Sequence, residues 1–151
     1  MDDHRDRVVL DTNACLDLFV FDDPRCARLR EHLLAGEVIA VTDEACRSEW
    51  LRVLGYPALA LDDHLREAAT ARFDALVRMW PESSAESDPL KPPRCRDPDD
   101  QKFLDLAVRA RARWLLTRDD HLLTLARRAE RDGMFRIMPP QSWPQEPLGS
   151  D

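Results

Sequence analysis

No apolar run in this sequence approaches the roughly 20 residues that a membrane-crossing helix requires. The opening residues, Met1-Asp2-Asp3-His4-Arg5, contain no apolar stretch of the kind that marks a secretory signal, so the cytoplasm is the expected compartment. Cys15, Cys26, Cys46 and Cys95 form no C-x-x-C pair, which weakens both disulfide and zinc readings. Cys15 and Cys46 lie among apolar neighbours and read as small core residues. The four histidines show no ligand spacing, so any metal site must rest on carboxylates. Positive charge is also in deficit. The formal net charge of -7 argues against nucleic-acid binding through a simple basic patch. That objection is partial, because a bound metal would neutralise acids at its site. The cationic residues are almost all arginine, whose fork suits phosphate. Arg94 and Arg96 precede Asp97, and Arg118 adjoins Asp119, although a solvated surface accounts for such arginines equally well. Internal repeats are absent.

What is present is a soluble composition, 44% hydrophobic and 34% charged, at a length suited to one domain. Residues 1–143 are expected to form that domain, with 144–151 a flexible tail. Arg7 to Leu10 reads as a short buried strand, Val38 to Val41 as a second, Trp114 to Thr117 as a third and Phe135 to Met138 as a fourth. Helices are expected at Ala14–Phe19, from Asp22-Asp23-Pro24 to Gly36, and after a Thr42 or Asp43 cap as far as Gly55. Others are expected at Asp62–Trp80, Asp97–Ala110 and Asp119–Arg131. The segment from Pro81 to Arg96 is the least regular. Short apolar strands alternating with helices imply an α/β fold with a mainly parallel sheet covered on both faces.

Four acids occupy positions where an apolar strand or helix begins or ends: Asp11, Glu49, Asp100 and Asp119. Asp11 closes Val8-Val9-Leu10, outside any expected helix start. Glu49 is three residues after Cys46 and four before Val53, bordering a buried stripe. Asp100 precedes Phe103 and Leu104 by three and four residues, and Asp119 precedes Leu122 and Leu123 in the same way. Carboxylates near a core are costly unless paired, protonated or metal-bound. A divalent cation explains all four together and points to phosphodiester chemistry, in which Mg²⁺ or Mn²⁺ activates water and polarises phosphoryl oxygen. Without metal the acids repel, and at least one pKa should be raised. Asp97 suits a helix-capping role and Asp99 a solvated one. Thr12, Asn13 and Thr117 are placed either to orient water or phosphate or to form turns and caps.

The motifs also carry a resemblance. Val8-Val9-Leu10-Asp11-Thr12-Asn13 resembles the opening motif of PIN-domain proteins. The stretch from Glu44 to Leu54 is similar to their second motif, with Glu49 at the acidic position. The stretch Asp97-Pro98-Asp99-Asp100-Gln101-Lys102-Phe103-Leu104 is similar to the third, with Asp100 as its acid. Leu115-Leu116-Thr117-Arg118-Asp119 is similar to the fourth. The resemblance spans residues 7–143. It implies a three-layer α/β/α sandwich around a four- or five-stranded sheet. It further implies a metal-dependent endoribonuclease in which Asp11, Glu49, Asp100 and Asp119 are catalytic metal ligands. The D-P-D-D-x-x-F-L form resembles the VapC-like toxins of bacterial toxin–antitoxin systems. That implies an RNA substrate, a small antitoxin partner and a homodimer. Two competing readings are an aspartyl-phosphate phosphatase and a non-catalytic binding module. Asn13 stands where the first would need a second acid. The net negative charge favours the second.

Overall fold

In the computed structural model, residues 5–81 and 91–144 are described. Five strands form one sheet in the order β3-β2-β1-β4-β5, every pair parallel. The strands are β1 (Asp6–Leu10), β2 (Val38–Thr42), β3 (Val77–Met79), β4 (Trp114–Leu116) and β5 (Arg136–Met138). Helices α1 (Thr12–Phe19) and α2 (Ala27–Leu34) join β1 to β2, and α3 (Glu44–Leu54) and α4 (Asp63–Leu76) join β2 to β3. Then α5 (Gln101–Arg109) leads to β4, and α6 (Asp120–Leu123) and α7 (Ala126–Arg131) lead to β5.

The two-residue period of a strand divides the core into layers. Val8, Leu10, Ala40, Trp114 and Leu116 face a cluster with Leu18, Leu29, Trp50 and Phe73 of α1 to α4. Val9, Ile39, Val41, Leu115 and Ile137 face Phe103, Leu104, Leu122 and Ala129 of α5 to α7. Both sheet faces are therefore dry, which explains why the strands read as continuous apolar runs. On the first face Trp50 stacks on Phe73, with ring centroids 5.4 Å apart. The three-layer α/β/α expectation is met.

Three elements differ from the sequence reading. The helix expected to reach Trp80 stops at Leu76, where Val77 turns extended (φ -109, ψ 122). Val77 to Met79 instead pair with Ala40 to Thr42 and form the fifth strand. Three apolar-flanked residues carry too little periodicity to separate the two outcomes. The helix expected from Asp119 to Arg131 is broken in two. The Thr124 hydroxyl donates to the His121 carbonyl at 3.1 Å, and Leu125 closes a tighter turn on Leu122. Such side-chain bonds to the backbone compete with helix. The second helix starts later than expected, at Ala27, after a 3₁₀ turn over Pro24–Cys26 that Asp23 caps. Gly36, at φ +75, ends α2 as expected of a left-handed C-terminal position. In the irregular segment, residues 82–90 lie outside the described residues, as do 145–151 of the expected tail.

Candidate metal centre

The strand order reverses between β1 and β4. In open parallel sheets this junction forms a crevice beyond the carboxyl ends of the strands. Asp11 follows β1 directly there. Its N–H donates to the Leu116 carbonyl of β4 at 3.0 Å, so the two central strands grip it. Its side chain accepts from the Thr12 N–H at 2.6 Å, the Thr117 hydroxyl at 2.6 Å and the Asn13 amide at 3.0 Å. The sequence reading put Asp11 in a turn outside any helix start. The structure corrects this: α1 begins at Thr12, and Asp11 is its N-cap. Burial pushes the Asp11 carboxyl up to about 6, against the pull of the Thr117 and Thr12 hydrogen bonds. The Glu49 and Asp119 carboxylates add smaller upward pushes.

Asp100 reaches the same crevice from a 3₁₀ turn, Pro98–Asp100, that leads into α5. It stands at the N-terminus of α5 yet makes no capping hydrogen bond with its side chain. The residue is 9% exposed, and its Oδ2 is buried without a hydrogen-bond partner. Burial, then the neighbouring Asp119 carboxyl, then Asp11 and Asp97, push its carboxyl up to about 7. The expectation that crowded acids raise at least one pKa is thus met twice, with burial the larger cause and repulsion the smaller.

Glu49 extends from α3 toward the same acids. Its Oε2 accepts the Thr12 hydroxyl, and its Oε1 lies 2.6 Å from the Lys102 ammonium. Asp119 caps α6 through the His121 N–H at 2.8 Å, while its own N–H is held by the Thr117 hydroxyl at 2.9 Å. Of the four acids named from sequence, Asp11 thus feels the charges of Glu49 and Asp119, and Asp100 feels those of Asp119 and Asp11. Asp11 and Asp100 are buried, and Glu49 and Asp119 are partly exposed. Asp97 caps its turn through the Asp99 N–H at 2.9 Å, the role expected of it.

Thr12, Asn13 and Thr117 spend their polar groups on protein partners. Thr12 serves Glu49, and Thr117 links Asp11 to Asp119. Asn13 joins Asp11 to the Arg118 N–H, accepting the latter at 2.9 Å. Their role in the structure is to orient the acids. The Arg118 side chain likewise turns away from the crevice and holds Asp17 with two bonds, at 2.7 and 3.2 Å.

Sequence reasoning missed three residues. Asp17 is buried in α1, bonded to Arg118 and to the Gln141 amide at 2.7 Å. Its one sequence signal is the i, i+4 relation to Asn13. Lys102, two residues beyond Asp100, was hidden inside its motif. His121 brings a ring nitrogen into a group with Asp97 and Asp100 whose ligand atoms all lie within 4.8 Å of one another. Histidine spacing along the chain could not reveal this, because its partners come from the turn before α5.

Chemically, the crevice offers clustered hard oxygen donors, two with raised proton affinity and one with a buried, unsatisfied oxygen. These residues fit a divalent cation, which would supply the missing partner and relieve the repulsion. Among the described residues, no helix is long and apolar enough to cross a membrane.

No curated protein matches the chain. The family profile described as PIN domain matches residues 7–121, a span that contains all four acids. PIN domains are typically metal-dependent nucleases. With well over half of its length matched and the parallel five-stranded sheet in place, this chain belongs to the PIN domain family.

Proposed function

We propose that the protein is a metal-dependent endoribonuclease, with residues 1–143 acting as one domain. In this reading Asp11, Glu49, Asp100 and Asp119 hold Mg²⁺ or Mn²⁺. The observation that carries it is Asp100, a buried carboxyl that neither caps its helix nor satisfies its Oδ2. A purely structural acid would have found a partner or been exposed.

When bound, the ion supplies Lewis-acid stabilisation of a phosphoryl oxygen and a lowered pKa for attacking water. The chain's own residues do the rest. Thr12 and Thr117 fix the acids at the crevice through their hydroxyls. Asn13 keeps the β4–α6 connection against Asp11. Arg94 and Arg96 are exposed just before the Asp97 turn and stand available to phosphates of a bound strand. The D-P-D-D-x-x-F-L resemblance supports a toxin role with a small antitoxin as partner and a homodimer as assembly.

The test is cleavage of labelled RNAs by wild type, Asp11→Asn and Asp100→Asn, with Mn²⁺ or with chelator. Cleavage is expected from wild type with metal only. Equal cleavage by both variants would trace the activity to a contaminant and remove the proposal. A second reading, a non-catalytic binding module, draws on Glu49, whose two oxygens already have internal partners in Thr12 and Lys102. It is favoured if wild type binds RNA but cleaves none of a varied set.

A further inference from the structure

Asp97, Asp100 and His121 each offer one ligand atom to a group spanning at most 4.8 Å. The set draws on two places in the chain. Asp97 and Asp100 bracket the 3₁₀ turn before α5, and His121 lies in the first turn of α6. Two observations separate this group from an ordinary surface cluster. Asp100 is nine-tenths buried with an oxygen that nothing satisfies. His121 also stands among carboxylates on more than one side, with Nδ1 3.6 Å from Asp119 Oδ1, beyond hydrogen-bond length.

We propose that His121 is a metal ligand, completing with Asp97 and Asp100 a mixed nitrogen–oxygen site that takes Mn²⁺ in preference to Mg²⁺. The inference rests on the metal-dependent reading above and deepens it by naming the class of ion. Mg²⁺ favours oxygen ligands and gives up its waters reluctantly. An imidazole nitrogen suits first-row transition ions instead. Two carboxylates and one imidazole leave positions open for water or a substrate oxygen. Asp119, proposed above as a ligand, stands 3.6 Å from the imidazole, so the histidine joins the acids at the site rather than replacing one of them. His121 is about half exposed (side chain 49%), so replacing it leaves the core intact.

The experiment uses the full chain, with Mn²⁺ and Mg²⁺ as probes. Pulsed electron paramagnetic resonance on the Mn²⁺-bound protein is expected to show a ¹⁴N coupling from imidazole. His121→Gln is expected to abolish that coupling. Outer-sphere losses alone commonly cost about 10–100-fold in metal affinity. His121→Gln should therefore raise the Mn²⁺ dissociation constant at least about tenfold while leaving that for Mg²⁺ within about twofold. A Mn²⁺ signal without ¹⁴N coupling overturns the inference, as does equal weakening of both ions in His121→Gln. Asp100→Asn distinguishes the two levels of the argument. If it weakens both ions while His121→Gln weakens neither, the metal site stands and the histidine ligand falls. If wild type binds neither ion, the metal-dependent reading falls first and takes this one with it.

Discussion

The ammonium of Lys102 lies 2.6 Å from Oε1 of Glu49, one of the four acids proposed to hold metal. The same ammonium donates to the Asp99 carbonyl at 2.5 Å, so two motifs meet through one side chain. A monovalent cation is thus already present where a divalent one is proposed, and the two must compete by charge. Lys102→Met is expected to tighten Mn²⁺ binding by about fivefold. It is also expected to lower ion-free stability by about 1–3 kcal/mol, since it leaves a mostly buried Glu49 oxygen without its partner. Thermal melts with and without Mn²⁺ should show a wider gap than in wild type. A narrower gap would mean that Lys102 helps rather than hinders the ion.

Proton affinity gives a second expectation. Asp11 and Asp100 carry pKa values raised to about 6 and about 7. A carboxyl raised in the folded state binds more protons there than in the unfolded chain. Its stabilising contribution is complete below about pH 4 and is lost as pH rises through the folded value. The ion-free protein should therefore lose stability between about pH 4 and pH 7 through these two groups. Asp22 and Asp43 are shifted downward, and their contribution is lost only under more acidic conditions. Denaturant titrations in chelator should give a falling trend across this window, and a flatter one in Asp100→Asn. An identical slope in the variant would deny Asp100 its raised pKa.

Asp17 anchors the outer side of the site. Removing its carboxylate strips both Arg118 and Gln141 of a bond. Asp17→Ala is expected to cost about 1–3 kcal/mol, the usual loss for buried polar partners left unmatched. Because Arg118 immediately precedes Asp119, RNA cleavage should fall further than stability alone explains. Activity measured well below the melting temperature separates the two effects, and unchanged cleavage there would confine Asp17 to stability.

Trp50 is fully buried and stacked on Phe73, with Phe19 edge-on at 6.2 Å. Trp50→Ala is expected to destabilise the fold by about 3–5 kcal/mol. Trp50→Phe should retain much of that loss. Urea unfolding reports both, and a cost under about 1 kcal/mol would show that this side of the sheet repacks freely.

Much of this was legible in the sequence, for identifiable reasons. Val8-Val9-Leu10 and Trp114-Leu115-Leu116 lie in strands buried on both faces, so hydrophobicity alone marked them. Asp11, Glu49, Asp100 and Asp119 stood out because each sat against an apolar stretch. The failures share another origin. Val77 to Met79 became a strand because β2 offered an open edge, information that resides in Ala40 to Thr42, far back in the sequence. Asp11 proved to be a helix cap because Thr12 already adopts helical geometry, which no composition signal announced. The partners of His121 and Asp17 lie 21 to 124 residues from them in sequence, and only the assembled sheet brings them near. Periodicity reports which face a residue shows, but not who stands opposite.

The central strand carries a mechanical consequence for the crevice. β1 is hydrogen-bonded along both edges, to β2 and to β4, and Asp11 continues that ladder onto Leu116. Asp97, Asp100, Asp119 and His121 instead ride on turns and the first residues of short helices, which fray more readily than sheet centres. The pocket is thus built as a rigid floor with an adjustable rim. If an ion binds as proposed, any adjustment to it falls on those outer residues, while the sheet holds Asp11 still.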